Sequence, residues 1–207
     1  FTYAEFFNKE TVKKIQKKYR KKAKLVLCFN TFAHSENLRG IIKNIYDILD
    51  EKGIFVFECQ YLKDIYDKKI LGTIFHEHMY HHSISSLSNL FSAFNLNFYD
   101  AKQVNIQKGS ILGFVTKNIF KDKTEEIFKL KNIEKKKGYI SNKKFDDLRK
   151  FIINQQKEAK RIIKRFDKNK IGSYGSARSG PTYALNFSLS KYIKFIFDDH
   201  PLKVNKF

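Results

Sequence analysis

Residues 73–82 hold four of the six histidines of the chain and one glutamate: His76, Glu77, His78, His81 and His82. Imidazole titrates near neutral pH, and an adjacent carboxylate can orient it or raise its basicity, so the stretch is a candidate for acid–base catalysis. Two other interpretations stay open. Histidine and glutamate at short spacing can bind zinc, although the helical spacing of a zinc protease is missing here, and the histidines could instead be structural.

The elements around this histidine stretch must position it. A helix is predicted from Asn8, as its N-cap, to about residue 22, and the apolar residues 25–29 predict a strand. Ser35 is expected to cap a second helix, which ends in the region of Gly53, and residues 54–57 predict a second apolar strand. Two continuously apolar strands joined by a helix predict a parallel α/β sheet whose strands are buried on both faces. Because ligands bind at the carboxyl ends of such strands, residues 30–34 and 58–61 are expected near the site.

The rest of the chain divides by composition. A helix is predicted over residues 85–94, followed by an antiparallel pair of strands over 97–106 and 110–116. The lysine-rich sequence from 117 to 170 predicts helices, one of them long and apolar along one stripe from Phe145 onward. Residues 171–198 repeat the strand, helix, strand pattern. We therefore expect three segments, namely 1–117, a helical connector over 118–168, and a second α/β piece over 169–207.

The net charge of +20, from 41 basic and 21 acidic residues, makes a basic nucleic-acid-binding protein an alternative. The lysines are scattered over every predicted helix face instead of forming one stripe, so we expect no nucleic-acid partner. The sequence has no run of about twenty apolar residues that would predict a membrane span. Cys28 and Cys59 each lie in an apolar run, which indicates buried free thiols and suits a reducing cytoplasm.

The segment Phe75-His76-Glu77-His78 resembles the Tyr-His-Glu-His motif of the SAM-dependent sugar C-methyltransferases of deoxysugar biosynthesis. Further segments resemble motifs of that family in the same order. They are Asn30-Thr31-Phe32-Ala33-His34, Phe57-Glu58-Cys59-Gln60-Tyr61-Leu62, Lys108-Gly109-Ser110, Tyr174-Gly175-Ser176-Ala177-Arg178-Ser179, and Asp198 with Pro201-Leu202-Lys203. Each alone is weakly specific, but their shared order across almost the whole chain is hard to obtain by chance.

The resemblance implies three parts in a whole protein of this kind: an N-terminal zinc-binding segment, a Rossmann-type domain that binds SAM, and a C-terminal Rossmann-like domain that holds a nucleotide-diphosphate sugar. On that plan we expect this chain to be an internal α/β fragment, with the C-terminal half of the SAM domain, the helical connector, and the start of the second Rossmann-like domain. The zinc segment and the Gly-rich SAM loop would lie outside it. We expect no metal in the chain itself, and a fragment of this kind is expected to be inactive alone.

By the same resemblance, His78 is the base that removes a proton beside the sugar ketone. Glu77 orients His78 or the sugar, and His34 lies close by as a donor or proton relay. His76 is interpreted as structural, because alternation of side chains along an extended segment would point it to the opposite side. Asn30 and Phe32 are assigned to the SAM pocket. The residues assigned to the substrate are Phe75, Ser110, Tyr174, Ser176, Arg178 and Lys203, and the two cations among them are natural partners of a diphosphate.

Four residues, in three places, depart from the family pattern. Phe75 stands where the family has Tyr, Gln107-Lys108 replaces His-Gly, and Leu112 replaces Arg. Loss of the Tyr hydroxyl removes a donor that could steady an enolate, an effect on the order of a hundredfold in rate. These departures leave open a subfamily with another substrate; the alternative from a different functional class is a noncatalytic relative that binds a nucleotide sugar.

Overall fold

The computed structural model describes residues 2–167, 170–177 and 179–203. They form two compact units. The first unit comprises the chain up to residue 67 and residues 77–140, and the second comprises residues 68–76 and the chain from 141 onward. The boundaries of these two units differ from those of the three segments expected from sequence composition, and the three segments stay a prediction.

A mixed sheet of four strands organises the first unit: β1 Ala23–Phe29, β2 Leu49–Gln60, β3 Asn97–Val104 and β4 Ser110–Thr116. The spatial order is β1-β2-β4-β3, with β1 parallel to β2 and β4 antiparallel to both of its neighbours. The predicted parallel pair and the predicted antiparallel pair are both confirmed. Doubly wound sheets often carry an antiparallel strand near an edge, so this topology fits the expected half of a Rossmann-type sheet.

Five helices belong to this part of the chain: α1 Lys9–Tyr19, α2 Leu38–Ile48, α3 Leu62–Lys68, α4 Ile84–Ser92 and α5 Glu125–Lys137. Asn8 caps α1 as predicted, but the helix ends at Tyr19 because Arg20 takes a left-handed conformation with φ 52°. The prediction for the start of α2 was wrong by two residues. Asn37, not Ser35, is the N-cap, and its side chain accepts from the backbone N–H of Gly40.

The core of the first unit is built from stacked aromatic rings. Phe32 lies 5.2 Å from Phe57 and 6.0 Å from Phe91, measured between ring centroids, and each of these side chains is at most 1% exposed. Leu87 of α4 and Ile127 of α5 complete the same cluster. Rings of this size bury large apolar areas, so they fix how the helices lie on the sheet.

The prediction that β1 is buried on both faces was wrong. Leu25, Leu27 and Phe29 are 56%, 55% and 51% exposed. Side chains alternate along a strand, and the intervening Val26 and Cys28 are the ones that pack against the core. The apolar run fixes the strand, but which of its faces is covered depends on elements distant in sequence.

The second unit contains the long helix α6 Asn142–Ile163 and a small parallel sheet of β5 Gly172–Tyr174 and β6 Phe195–Phe197, with α7 Ser179–Asn186 between them. The repeated strand, helix, strand pattern is therefore confirmed. Residues 71–73 form a short 3₁₀ turn within this unit, where the hydroxyl of Tyr183 accepts from the backbone N–H of Gly72 at 3.1 Å. No helix among the described residues is long and apolar enough to cross a membrane.

Candidate active site

The histidine stretch meets the loop that follows β1. The His34 and His78 rings lie edge to face, with centroids 4.6 Å apart and an interplanar angle of 70°. His34 Nδ1 lies 3.1 Å from the backbone oxygen of Glu77, and the N–H of Met79 donates to the backbone oxygen of Ala33 at 3.0 Å. The structure therefore brings His34 together with Glu77 and His78, which lie more than forty residues later in the sequence.

The contact between His34 and Glu77 fixes the form of the His34 ring. A carbonyl oxygen can only accept, so Nδ1 must carry the proton that it donates. In the neutral ring Nε2 then holds a lone pair. This arrangement favours proton acceptance at Nε2 of His34.

Glu58 holds the loop after β1 in place, a role that the sequence did not reveal. Asn30 takes a left-handed conformation with φ 50°, and its N–H donates to the Glu58 carboxylate at 3.0 Å and to the Glu58 backbone oxygen at 3.2 Å. Glu58 is 4% exposed. The signal was present, because Glu58 directly follows the predicted apolar strand 54–57 at the edge where a site is expected. The left-handed backbone of Asn30 also fits a functional site, where such strain often clusters.

Two more histidines adjoin the pair. The His81 ring lies 5.9 Å from that of His78, and the buried His82 ring lies 5.5 Å from that of Phe32. Burial lowers the pKa of His81, and burial together with the charge of His81 lowers the pKa of His82 to about 4. Both rings are therefore neutral at pH 7, and within the described parts of the chain His81 Nδ1 and His82 Nε2 have no hydrogen-bond partner.

The other predicted residues of the first unit occupy varied positions. Phe32 is enclosed in the aromatic core, so its ring serves packing here and its role at SAM stays a prediction. Ser110 begins β4, is fully buried, and donates through Oγ to the backbone oxygen of Ile106 at 3.2 Å. The side chain of Glu77 is exposed.

Asp198 gathers two of the predicted substrate residues in the second unit. Its Oδ2 accepts from the N–H and Oγ of Ser176, at 2.7 and 2.8 Å, and from Lys203 Nζ at 3.1 Å. The Ser176 and His200 N–H groups, the Ser176 hydroxyl and Lys203 hold the pKa of Asp198 well below its usual value. Tyr174 is exposed and its hydroxyl donates to Asp199. Arg178 lies outside the described residues.

Phe75 belongs to the second unit, where its ring lies 6.1 Å from that of His76. Residues 75–77 form a bend and a turn, and none of residues 74–81 lies in a strand, so the alternation that was used to set His76 apart does not apply. Among the described residues, no three His, Cys, Asp or Glu side chains are placed to hold a metal ion.

Comparison with known proteins bears on the expected resemblance. The chain is 32% identical over 92 residues to the C-methyltransferase NovU of Streptomyces niveus. The chain is similar to a C-methyltransferase. This similarity confirms the predicted resemblance as far as a C-methyltransferase, and the sugar substrate stays a prediction. The matched region covers 44% of this chain and 22% of that C-methyltransferase, so it spans about a fifth of the relative's length. No family model matches the chain.

Solved methyltransferases give only distant likenesses. A magnesium protoporphyrin IX methyltransferase from Synechocystis PCC 6803 with bound SAH is 17% identical and has a TM-score of 0.35, covering 46% of each chain. A SAM-dependent methyltransferase from Clostridium acetobutylicum is 14% identical and has a TM-score of 0.38, covering 53% of this chain and 72% of that one. Likenesses this low add nothing to the case beyond the sequence similarity.

Proposed function

We propose that this chain is part of an enzyme that transfers a methyl group from SAM to a carbon of a keto-deoxysugar carried on a nucleotide diphosphate. The similarity to a C-methyltransferase supports the reaction type. The observation that carries the proposal is the meeting of His34, Glu77 and His78 at the carboxyl end of β1. In open α/β sheets, that end of the strands is where ligands bind.

The reaction needs a base because a sugar carbon is a poor nucleophile until its proton is removed. A neighbouring ketone makes the proton acidic, since the resulting enolate spreads the charge onto oxygen. We assign the proton removal to His78, which is partly exposed beside His34. Glu77, whose side chain is exposed, orients the sugar or His78.

The form of His34 makes it a relay in this scheme. Its Nδ1 proton is held by the Glu77 carbonyl, so Nε2 is the atom that can take a proton on from His78. The neighbouring His81 is kept neutral by burial, and so it adds no positive charge that would oppose protonation of His78.

Bound SAM would supply an electrophilic methyl group to the enolate carbon. Of the two residues assigned to it, Asn30 fits better, because it lies immediately after β1 at the ligand-binding edge and its backbone is held by Glu58. Phe32 is enclosed by other rings. Tyr174, Ser176, Arg178 and Lys203 stay our candidates for the nucleotide diphosphate, and Asp198 must release Ser176 and Lys203 for them to bind it.

The decisive experiment follows the proton beside the ketone. A full-length protein carrying this chain is incubated in D₂O with a nucleotide-linked 4-keto-6-deoxysugar, and proton loss is followed by NMR, with and without SAM labelled on its methyl group. We expect deuterium exchange and a labelled methyl on carbon. His78→Asn should slow exchange by about a hundredfold or more, since general-base catalysis contributes that much.

His76→Asn is the matched control, because His76 lies in the same segment and is exposed. It should exchange at the wild-type rate. Sugar binding without any exchange would support the noncatalytic relative and overturn the proposal. Equal exchange by His78→Asn and the wild type would remove His78 as the base.

A further inference from the structure

Glu134 is a fully buried carboxylate on the lysine-rich helix α5. Both of its oxygens accept hydrogen bonds. Oε1 accepts from the Tyr61 hydroxyl at 2.9 Å and from the Ile84 N–H at 2.6 Å, and Oε2 accepts from the N–H and Oγ of Ser85 at 2.9 and 2.6 Å. Burial and the adjacent carboxylate raise the pKa of Tyr61, so its phenol stays protonated and donates.

These bonds join two points that are distant in sequence. Tyr61 follows the last residue of β2, and Ile84 and Ser85 begin α4. The same two chain segments touch directly, because the N–H of Leu62 donates to the His82 backbone oxygen at 2.8 Å. The residues between these two segments, including His78, therefore start and end at one place. We call this place the neck, where Tyr61 and Leu62 meet residues 82–85.

The segment from Glu77 to Ser85 has two anchors. At one end, the Met79 N–H and the Glu77 carbonyl bind the loop after β1, at Ala33 and His34. At the other end, Glu134 fixes the start of α4. His78 lies within the first anchor, between Glu77 and Met79, and only residues 80–83 connect it to the second anchor, so a shift at the start of α4 is passed on to the His78 ring.

We propose that Glu134 is a positioning residue for His78, acting through the neck at Tyr61 and Ser85. This inference rests on the proposed function for its catalytic meaning. Misplacement of a catalytic group by about 1 Å can cost on the order of a hundredfold in rate, so a clamp at the end of the segment bears directly on turnover.

Glu134→Gln tests the clamp with little change in shape. The amide offers one accepting oxygen in place of two, and a backbone N–H at the start of α4 cannot turn to become an acceptor. One of the Ile84 and Ser85 N–H groups therefore faces the amide nitrogen of Gln. Glu125→Gln is the matched control, because Glu125 is an exposed glutamate on the same helix.

The first readout is independent of catalysis. In the labelled chain, at a temperature where it is folded, NMR reports the contact between the His34 and His78 rings and the hydrogen exchange of the Leu62 amide. In Glu134→Gln the ring contact should be lost. The Leu62 amide should exchange about tenfold faster or more relative to amides of the β2–β4 pair, since a tenfold faster exchange needs only a small decrease in the free energy of local opening. Glu125→Gln should match the wild type. A purely structural Glu134 would lower stability yet leave the ring contact in the folded chain, which would overturn the proposal.

The second readout is the sugar-proton exchange in the full-length protein. Glu134→Gln should lower its kcat about tenfold or more while KM for the nucleotide sugar stays nearly constant. If the wild type shows no exchange, the proposed function fails, while the ring contact still decides the clamp. If Glu134→Gln does not fold, Tyr61→Phe and Ser85→Ala each remove one donor, and an unchanged ring contact and unchanged Leu62 exchange in both would overturn the clamp.

Discussion

Acid should destabilise the first unit through His82, and His82→Phe should remove most of this effect. The His82 side chain is 4% exposed, and its ring lies 5.5 Å from that of Phe32 and 6.1 Å from that of Tyr80. Folding lowers the pKa of His82 from an ordinary 6.5 to about 4. Between these two pH values the unfolded chain binds a proton at His82 that the folded chain does not bind. The free energy of unfolding therefore decreases as the pH falls from about 6.5 to about 4.

The size of the loss follows from the two pKa values. Over the full range it reaches about 3.4 kcal/mol, and at pH 5 it is already about 2 kcal/mol. Small domains are stable by only about 5–15 kcal/mol, so the effect is large enough to measure. Phe is close to His in shape and suits the aromatic surroundings, so His82→Phe should fold.

Urea unfolding of the wild type and of His82→Phe, followed by circular dichroism at pH 7.5, 6.5 and 5.0, provides the assay. The stability difference between them should shift in favour of His82→Phe by about 2 kcal/mol between pH 7.5 and pH 5. Some acid sensitivity should persist, because burial also lowers the pKa of His81. His76→Gln, which changes an exposed histidine of the same stretch, is the control for loss of a histidine as such. Parallel pH profiles for His82→Phe and the wild type would refute the reasoning.

Three further outcomes are expected. Gln107 has φ 48° and ψ 36°, so Gln107→Gly should raise the free energy of unfolding by about 0.5–1 kcal/mol in urea titrations, whereas Gln107→Ala keeps the left-handed strain and should bring no gain. Because one face of β1 is apolar and exposed, the isolated chain should self-associate in sedimentation experiments. Leu27→Thr should weaken this association, whereas Lys24→Gln should not. A monomeric wild type at high concentration would contradict the prediction. Phe75→Tyr should speed sugar-proton exchange by up to about a hundredfold, because the restored hydroxyl would donate to the enolate oxygen, and an unchanged rate would contradict this.

The sequence predicted most elements because local rules governed them. The continuous apolar runs marked β1 and β2, and Gly109 between two extended runs marked the hairpin of β3 and β4. The exact helix starts were harder, since Ser35 and Asn37 are both good N-caps and only the observed hydrogen bond to Gly40 distinguishes them. The exposure of one face of β1 could not be predicted from the sequence, because other elements, distant in sequence, determine which face of a strand is buried.

The residues of the candidate site likewise divide into those that the sequence indicated and those that only the structure revealed. Residue types alone left acid–base, zinc-binding and structural interpretations of the histidine stretch open, and it was the resemblance to the sugar C-methyltransferases that singled out His34, Glu77 and His78. Glu134 was missed although Ile127, Leu130 and Glu134 recur at helical spacing and share one buried face. A glutamate on such a face must find donors, but no sequence rule says which ones.

By itself the sequence determined the α/β class, the order of the elements and the histidines that could act as a base, because periodicity and side-chain chemistry are local properties. Only the tertiary structure decided that His34 and His78 touch, that Glu58 holds Asn30 and that Glu134 binds both Tyr61 and the start of α4. Those contacts join residues about thirty to seventy positions apart. Their formation depends on the strand pairing and the aromatic core that bring the segments together, and neither is encoded in any single segment.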